Sequence, residues 1–412
     1  MLPESTNERI KQLDVQIAGT AAGQLLKHSV YEFRYLLGRS AEEQTQPALS
    51  LLMPPTQPTY QDGDLFPVLD QNLPEGDLYL RLRALYPKQP LTPMHLLALI
   101  GSNGIGRLGF TLPHEAPAPP GRTLDRATLL ATRYTPQVFD ELVAAYLATG
   151  AGIAGMQPKI MVPDRPTIPI PTLIVKAAPA AYPGLAANEF LCLSAARHAQ
   201  IEVPGFELSN DGQMLVLDRF DLRADGSRLG FEDMAALMGL RVRDTLSDRK
   251  YQGSYQKVAD LMRAFRLPAA SLARFFEQVA LSVMVRNGDG HLKNFGVLYT
   301  GETDIRLSPL FDVVTTSIYK YKRYSGGPEL EDRTLALKLF AGKGQTRAYP
   351  LTAELLHFGR SVCGVAQPAA VLQRIAQGMQ QALQSARSDA RIAKPLLAAM
   401  QEAWAPGMLH AS

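Results

Sequence analysis

The sequence predicts an α+β chain of two lobes, strand-rich in its first half and helical in its second. Three observations predict this. Strand-like alternation and hairpin signals dominate up to residue 221, and helical periodicity takes over from Phe231. A polar loop, Asn287-Gly-Asp289-Gly-His291-Leu-Lys293-Asn294, joins a long apolar helix-like run to a strand. A proline-rich segment after residue 112 sets off an additional N-terminal part with strands of its own.

Composition sets the outer bounds. The 412 residues are enough for two or three domain-sized units. With 46% hydrophobic and 20% charged residues the chain reads as globular. Its 42 basic and 39 acidic residues leave +3, too balanced for bulk charge to drive nucleic-acid binding. Only Cys192 and Cys363 occur, so neither a disulfide framework nor a cysteine zinc site is suggested. The first 25 residues do not read as a signal peptide, and no apolar run reaches 18 residues. A soluble protein of the cytoplasm, with no membrane partner, is expected.

In order, Leu13, Val15 and Ile17 alternate with polar residues, Gly19 to Gly23 turn the chain, and 30–35 alternate again, so 12–37 read as strands. Pro54, Pro55 and Pro58 suggest a loop over 49–70. Two short helices are expected between 72 and 100, parted by Pro87, Pro90 and Pro93. Gly104-Ile-Gly106-Arg-Leu-Gly109 fits G-x-G-x-x-G, but no helix follows; a glycine-rich turn into a strand is the better reading. The expected divisions are an N-terminal subdomain at 1–112, a linker at 113–122, a first lobe at 123–221 and a helical lobe at 222–412.

A helix over 135–149 leads to Gly150-Ala-Gly152-Ile-Ala154-Gly155-Met156-Gln157-Pro158-Lys159, a second glycine run, now followed by strand-like residues. Such a loop lets backbone N–H groups approach phosphates without Cβ obstruction, though it also suits a plain helix-to-strand connection. Thr172 to Lys176 is an apolar strand ending on a lysine, ordinarily a solvated position. A helix then starts near Asn188, with Glu189 placed either to pair with that lysine or to complement the helix dipole. Asn210-Asp-Gly212 between apolar runs marks a hairpin over 206–220. Leu272 to Met284 reads as a buried helix whose aromatic residues belong to the core. Lys320-Tyr-Lys-Arg-Tyr324 interleaves basic and aromatic residues, a pattern that suits nucleic acid but more often a solvated loop. Residues 353–404 are helical without recognisable chemistry.

The chemistry concentrates in the 287–294 loop. Asp289 and Asn294 stand five residues apart, the spacing of the kinase catalytic loop, where the Asp receives the substrate hydroxyl proton and the Asn holds magnesium. Asp312 follows a short hairpin and supplies a second oxygen ligand for the metal that bridges phosphates. A bare Asn-Gly-Asp-Gly is also good turn sequence. The later Asn and Asp favour the kinase reading.

Asn287 to Phe295 and Leu307-Ser-Pro-Leu-Phe311-Asp312 resemble the HipA family, bacterial serine/threonine protein kinases that are toxins of type II toxin–antitoxin pairs. The resemblance extends over nearly the whole chain. It implies a two-lobed protein-kinase-like fold with ATP between the lobes. Gly155-Met-Gln157-Pro-Lys159 is similar to the family's phosphate loop, so Ala154, Gly155, Met156, Gln157, Pro158 and Lys159 are implied to hold phosphates with Lys176. Asp218-Arg219-Phe220-Asp221 resembles the family's hinge, usually Glu-Arg-Phe-Asp; Asp218, Arg219 and Phe220 are implied to line the base. His291, Lys293 and Phe311 are implied to face the nucleotide, Asn294 and Asp312 to hold Mg2+, and Asp289 to act as the base. Glu232-Asp-Met and Lys250-Tyr251 also occur as in relatives. One departure stands out: the serine that family members autophosphorylate ahead of the loop is Gly152 here. The resemblance further implies a HipB-like helix-turn-helix antitoxin, contact with DNA only through it, and a protein substrate such as an aminoacyl-tRNA synthetase, glutamyl-tRNA synthetase among them.

Two other readings are open. A small-molecule kinase of aminoglycoside-phosphotransferase type shares the Asp-x-x-x-x-Asn spacing but lacks the N-terminal part and the Gly-x-Gln-x-Lys loop. A catalytically silent partner of a DNA-binding antitoxin has no need of Asp289, Asn294 and Asp312 together.

Overall fold

The computed structural model describes residues 9–36, 47–85, 91–114, 124–148, 159–162, 164, 171–178, 181–321 and 327–411. The N-terminal sheet is antiparallel in the order β4-β3-β2-β1-β5, from β1 (Gln12–Ile17), β2 (Thr20–Lys27), β3 (Tyr31–Tyr35), β4 (Thr59–Asp62) and β5 (Leu108–Thr111). Period-two alternation places Leu13, Val15 and Ile17 on its buried face. Helices α1 (Pro67–Asp70), α2 (Gly76–Leu85) and α3 (Pro93–Ile100) follow β4. Residues 49–70 are therefore not loop throughout. The prolines end before Thr59, leaving 59–62 able to pair with β3, and Pro67 at N1 starts a helical turn.

Beyond α4 (Arg126–Ala131) and α5 (Pro136–Ala148) lies a second antiparallel sheet, β6-β7-β9-β8, made of β6 (Lys159–Val162), β7 (Leu173–Ala177), β8 (Phe206–Leu208) and β9 (Met214–Asp218). Leu13, Phe33, Leu97, Phe139, Ile160, Val175 and Val216 pack in one cluster. The N-terminal sheet and this sheet thus share a core across residues 113–122, of which 115–122 lie outside the described residues. Helix α6 (Leu185–His198) starts earlier than Asn188, so Glu189 sits in its second turn, away from the N-terminal dipole.

The helical lobe holds β10 (Gly230–Asp233), α7 (Met234–Leu237), α8 (Tyr255–Ala264), α9 (Ala269–Met284), β11 (Gly296–Tyr299), β12 (Arg306–Leu307), α10 (Thr352–His357), α11 (Pro368–Ala386) and α12 (Lys394–Met408). Glu232 belongs to β10, and Asp233 caps α7 through the Ala236 N–H. Helix α9 is the lobe's axis: Phe275, Phe276, Val279, Leu281, Val283 and Met284 are all buried. Gly407 of α12 lets that helix close onto the end of α9; a Cβ there would stand 1.9 Å from the Met284 carbonyl oxygen. Lys320 and Tyr321 pair with Leu330 and Glu331, and the rest of the 320–324 basic segment lies outside the described residues. Among the described residues, no helix is long and apolar enough to cross a membrane.

Candidate active site

The loop that leaves α9 turns sharply at Arg286, whose φ of +60° is rare for a side-chain-bearing residue. Asn287 Oδ1 then accepts the Asp289 N–H at 3.0 Å, an Asx turn, and Gly288 N–H donates to Thr316 Oγ1 at 2.8 Å. Gly288 has no room for a side chain, since a Cβ would lie 2.0 Å from Asp332. The Asn294 amide group donates to the Asp289 carbonyl at 2.8 Å and to the Asp312 carbonyl at 3.4 Å. One side chain thereby ties the two acidic segments together and leaves Oδ1 as the atom it can offer a cation.

Asp312 itself has φ +57°. Its Oδ1 accepts from Lys176 Nζ at 2.7 Å, and the same ammonium donates to Glu189 Oε1 at 2.5 Å. Lys176 and Glu189 are buried. Burial alone lowers the lysine pKa, but the Asp312 and Glu189 carboxylates outweigh it and hold the ammonium above its ordinary value. This contact decides between the two roles left open for Glu189.

Asp289, His291, Lys293, Asn294, Asp312, Phe311, Lys176, Asp218 and Phe220 all line one cavity of about 650 Å³. Phe220, Phe231 and Phe311 pack edge-on and tilted, with centroids 5.2–6.1 Å apart, as its apolar end. His291 is pushed down to about 3, chiefly by burial and then by the Lys250 charge, so its ring stays neutral. Lys293 pairs with Glu75, which reaches in from the N-terminal part together with Gln71 and Asn72.

Arg219 departs from its expected place. It does not line the cavity. Its guanidinium is buried, bound to Asp221 at 2.6 and 3.0 Å and to the carbonyls of Asn103, Gly104 and Pro171 at 2.8–3.1 Å. Five donors in a planar fork suit such a joint better than they suit a base. The Asp218 side chain, partly exposed, pairs with Arg126. Ala154 to Pro158 and Gly152 lie outside the described residues, and of Lys159 only the backbone pairing with Lys176 is described.

Sequence reasoning missed several contributors. Tyr251 donates its phenol to Asp289 Oδ1 at 2.7 Å and packs edge-on to His291. Burial and the Asp289 carboxylate push that phenol far above its ordinary pKa, so it remains a donor. The Lys250-Tyr251 pair was visible in the sequence without a role. Phe231 and Glu75 had no signal at all, Glu75 lying 218 residues from its partner.

The donor set suits magnesium, which takes one or two carboxylate or amide oxygens and completes its shell with water and substrate phosphates. Among the described residues no cluster of three His, Cys, Asp or Glu forms a dedicated metal cage.

Two family models match the chain. One, described as HipA-like C-terminal domain, covers residues 151–387, and one described as HipA N-terminal domain covers 13–111. Two curated relatives come from Sinorhizobium fredii. "Putative kinase Y4mE" is 24% identical over 75% of this chain and 78% of its own length. "Putative kinase Y4dM" is 29% identical over 35% of this chain, and the match spans only 38% of the relative. Among solved structures, a chain of the Shewanella oneidensis MR-1 toxin–antitoxin complex of HipA, HipB and operator DNA superposes with a TM-score of 0.68. It covers 97% of this chain and 96% of that one at 18% identity, so the two share their α+β fold.

Proposed function

Because the chain belongs to the HipA family, we propose that it is an ATP- and magnesium-dependent serine/threonine protein kinase acting as the toxin of a toxin–antitoxin pair. The observation that carries this reading is the convergence of Asp289, Asn294, Asp312 and Lys176 on one cavity between the lobes.

In this reading the Phe220, Phe231 and Phe311 end receives the base, and the backbone of 154–159 with Lys176 receives phosphates. Asn294 and Asp312 hold Mg2+, which supplies charge neutralisation on the phosphate oxygens when bound. Asp289 orients the acceptor hydroxyl and takes its proton. Tyr251 steadies that carboxylate through its phenol. Positioning and charge stabilisation are most of what phosphoryl transfer asks of a protein. The partner is a HipB-like helix-turn-helix antitoxin, with DNA reached through it. The substrate is a protein hydroxyl, an aminoacyl-tRNA synthetase being the family-based choice.

Brief induction of the wild type and of Asp289→Ala, followed by phosphoproteomics, tests this. A phosphosite that appears only with the wild type, together with growth arrest, is the expected result. Equal arrest by the Asp289→Ala protein would favour a silent binding partner.

A further inference from the structure

Three lysines line the cavity, and two have acidic partners: Lys176 has Glu189 and Asp312, and Lys293 has Glu75. Lys250 has none. It is only 4% exposed, yet among the described residues no carboxylate lies within ion-pair distance of its ammonium. Its one close neighbour of note is the Tyr251 ring, with Nζ 5.5 Å from the centroid. The residue is nearly buried while its ammonium faces the cavity, so its charge is met by water there rather than by a carboxylate. A cavity that keeps such an ammonium is built for an anion to arrive.

Its place in the cavity says which anion. Lys250 adjoins Tyr251, whose phenol touches Asp289, and its charge is the strongest single charged influence on His291. Its ammonium therefore stands near His291, where Tyr251 meets Asp289. His291, two residues after Asp289, is held neutral and cannot supply a positive charge there.

On the kinase reading above, we propose that Lys250 is a catalytic residue that meets the terminal phosphoryl group of ATP. During transfer the acceptor proton goes to Asp289 and the acceptor oxygen's electron pair forms the new P–O bond. The bond from the γ-phosphorus to the bridging oxygen breaks, and ADP leaves with that pair. Lys250 stays an ammonium throughout and balances charge on the oxygens in transit.

The test uses the full chain with two probes, ADP and the β,γ-imido analogue of ATP, each with magnesium, in titration calorimetry. Lys250→Met should bind ADP within about twofold of wild type and the imido analogue about tenfold more weakly, the size of one lost charged hydrogen bond. Lys250→Arg should restore most of the difference. Because Lys250→Met removes a charge that no carboxylate pairs, it should melt at or above the wild-type temperature; Lys250→Gln serves as a second neutral variant. Equal weakening of both nucleotides, or of neither, overturns the assignment while leaving the kinase reading in place. A wild type that binds neither nucleotide overturns the kinase reading and this assignment with it.

Discussion

Lys176→Met tests the buried charge chain that crosses the cleft. The Lys176 and Glu189 side chains are 5% and 0% exposed, with the ammonium between Glu189 and Asp312. Methionine keeps the stem and removes the charge and its three donors. Breaking a buried pair costs roughly 3–5 kcal/mol, because the survivor stays desolvated without its partner. Water reaches Asp312, 27% exposed, and recovers part of this, so about 3 kcal/mol is expected. At about 2–3 °C per kcal/mol, Tm falls by roughly 6–9 °C. In the wild type the lysine's folded pKa is raised. Its contribution is thus fully present below the unfolded value of about 10.4 and lost only as pH rises through the folded one, so it is constant between about pH 5.5 and 8. In the variant the buried Glu189 carboxylate has lost the Lys176 ammonium and gains by protonation, so the deficit shrinks toward the acid end. Circular-dichroism melts at both pH values measure this. Lys176→Met with Glu189→Leu should regain stability but not ATP binding. A Lys176→Met protein as stable as wild type at both pH values would refute the reasoning.

Other outcomes follow from the same geometry. Asp289→Asn should lose transfer of labelled γ-phosphate while binding MgATP normally by calorimetry; near wild-type transfer would remove Asp289 from the role of base. Arg219→Met should cost roughly 3 kcal/mol in denaturant titration, since buried Asp221 loses its guanidinium partner and the Asn103 and Pro171 carbonyls lose its donors, while Gly104 keeps Arg228 and Asp221 keeps the Gly106 N–H; an unchanged midpoint would contradict the joint described. Gly407→Ala should destabilise by about 1–3 kcal/mol through the clash with Met284, read as a lower midpoint at unchanged slope. Prolonged incubation with MgATP should leave the protein active, because Gly152 offers no hydroxyl; mass spectrometry finding stoichiometric phosphate on Thr149 with loss of ATP binding would restore self-inactivation.

What the sequence made legible was local chemistry. That Asp289, Asn294 and Asp312 belong together was legible because spacing within one loop and hairpin is a property of neighbours in the chain, and all three line one cavity. The first three strands of the N-terminal sheet were legible from alternation and α9 from its apolar run, whereas β4 was hidden among the prolines of 54–58. Glu75 against Lys293, Gln71 against the β10 backbone and Arg219 against the Asn103–Gly104 turn were not, because each joins segments more than a hundred residues apart. Arg219 was misplaced for a related reason. A motif fixes which residue stands at a hinge, while the direction of its side chain depends on what packs behind it.

The support of the 287–294 loop also imposes an order in time. Thr315, beside the loop's Thr316 anchor, is held by Asn188 and by the Trp404 indole N–H, which donates to its hydroxyl at 2.7 Å. Gly407 closes α12 onto the carbonyl end of α9 just ahead of Arg286. A ribosome makes Lys176, Asp289, Asn294 and Asp312 long before it makes Trp404 and Gly407. A nascent chain already carrying Lys176, Asp289, Asn294 and Asp312 therefore lacks the buttress behind their loop. Elements translated well after Asp312 thus buttress the loop that carries Asp289 and Asn294.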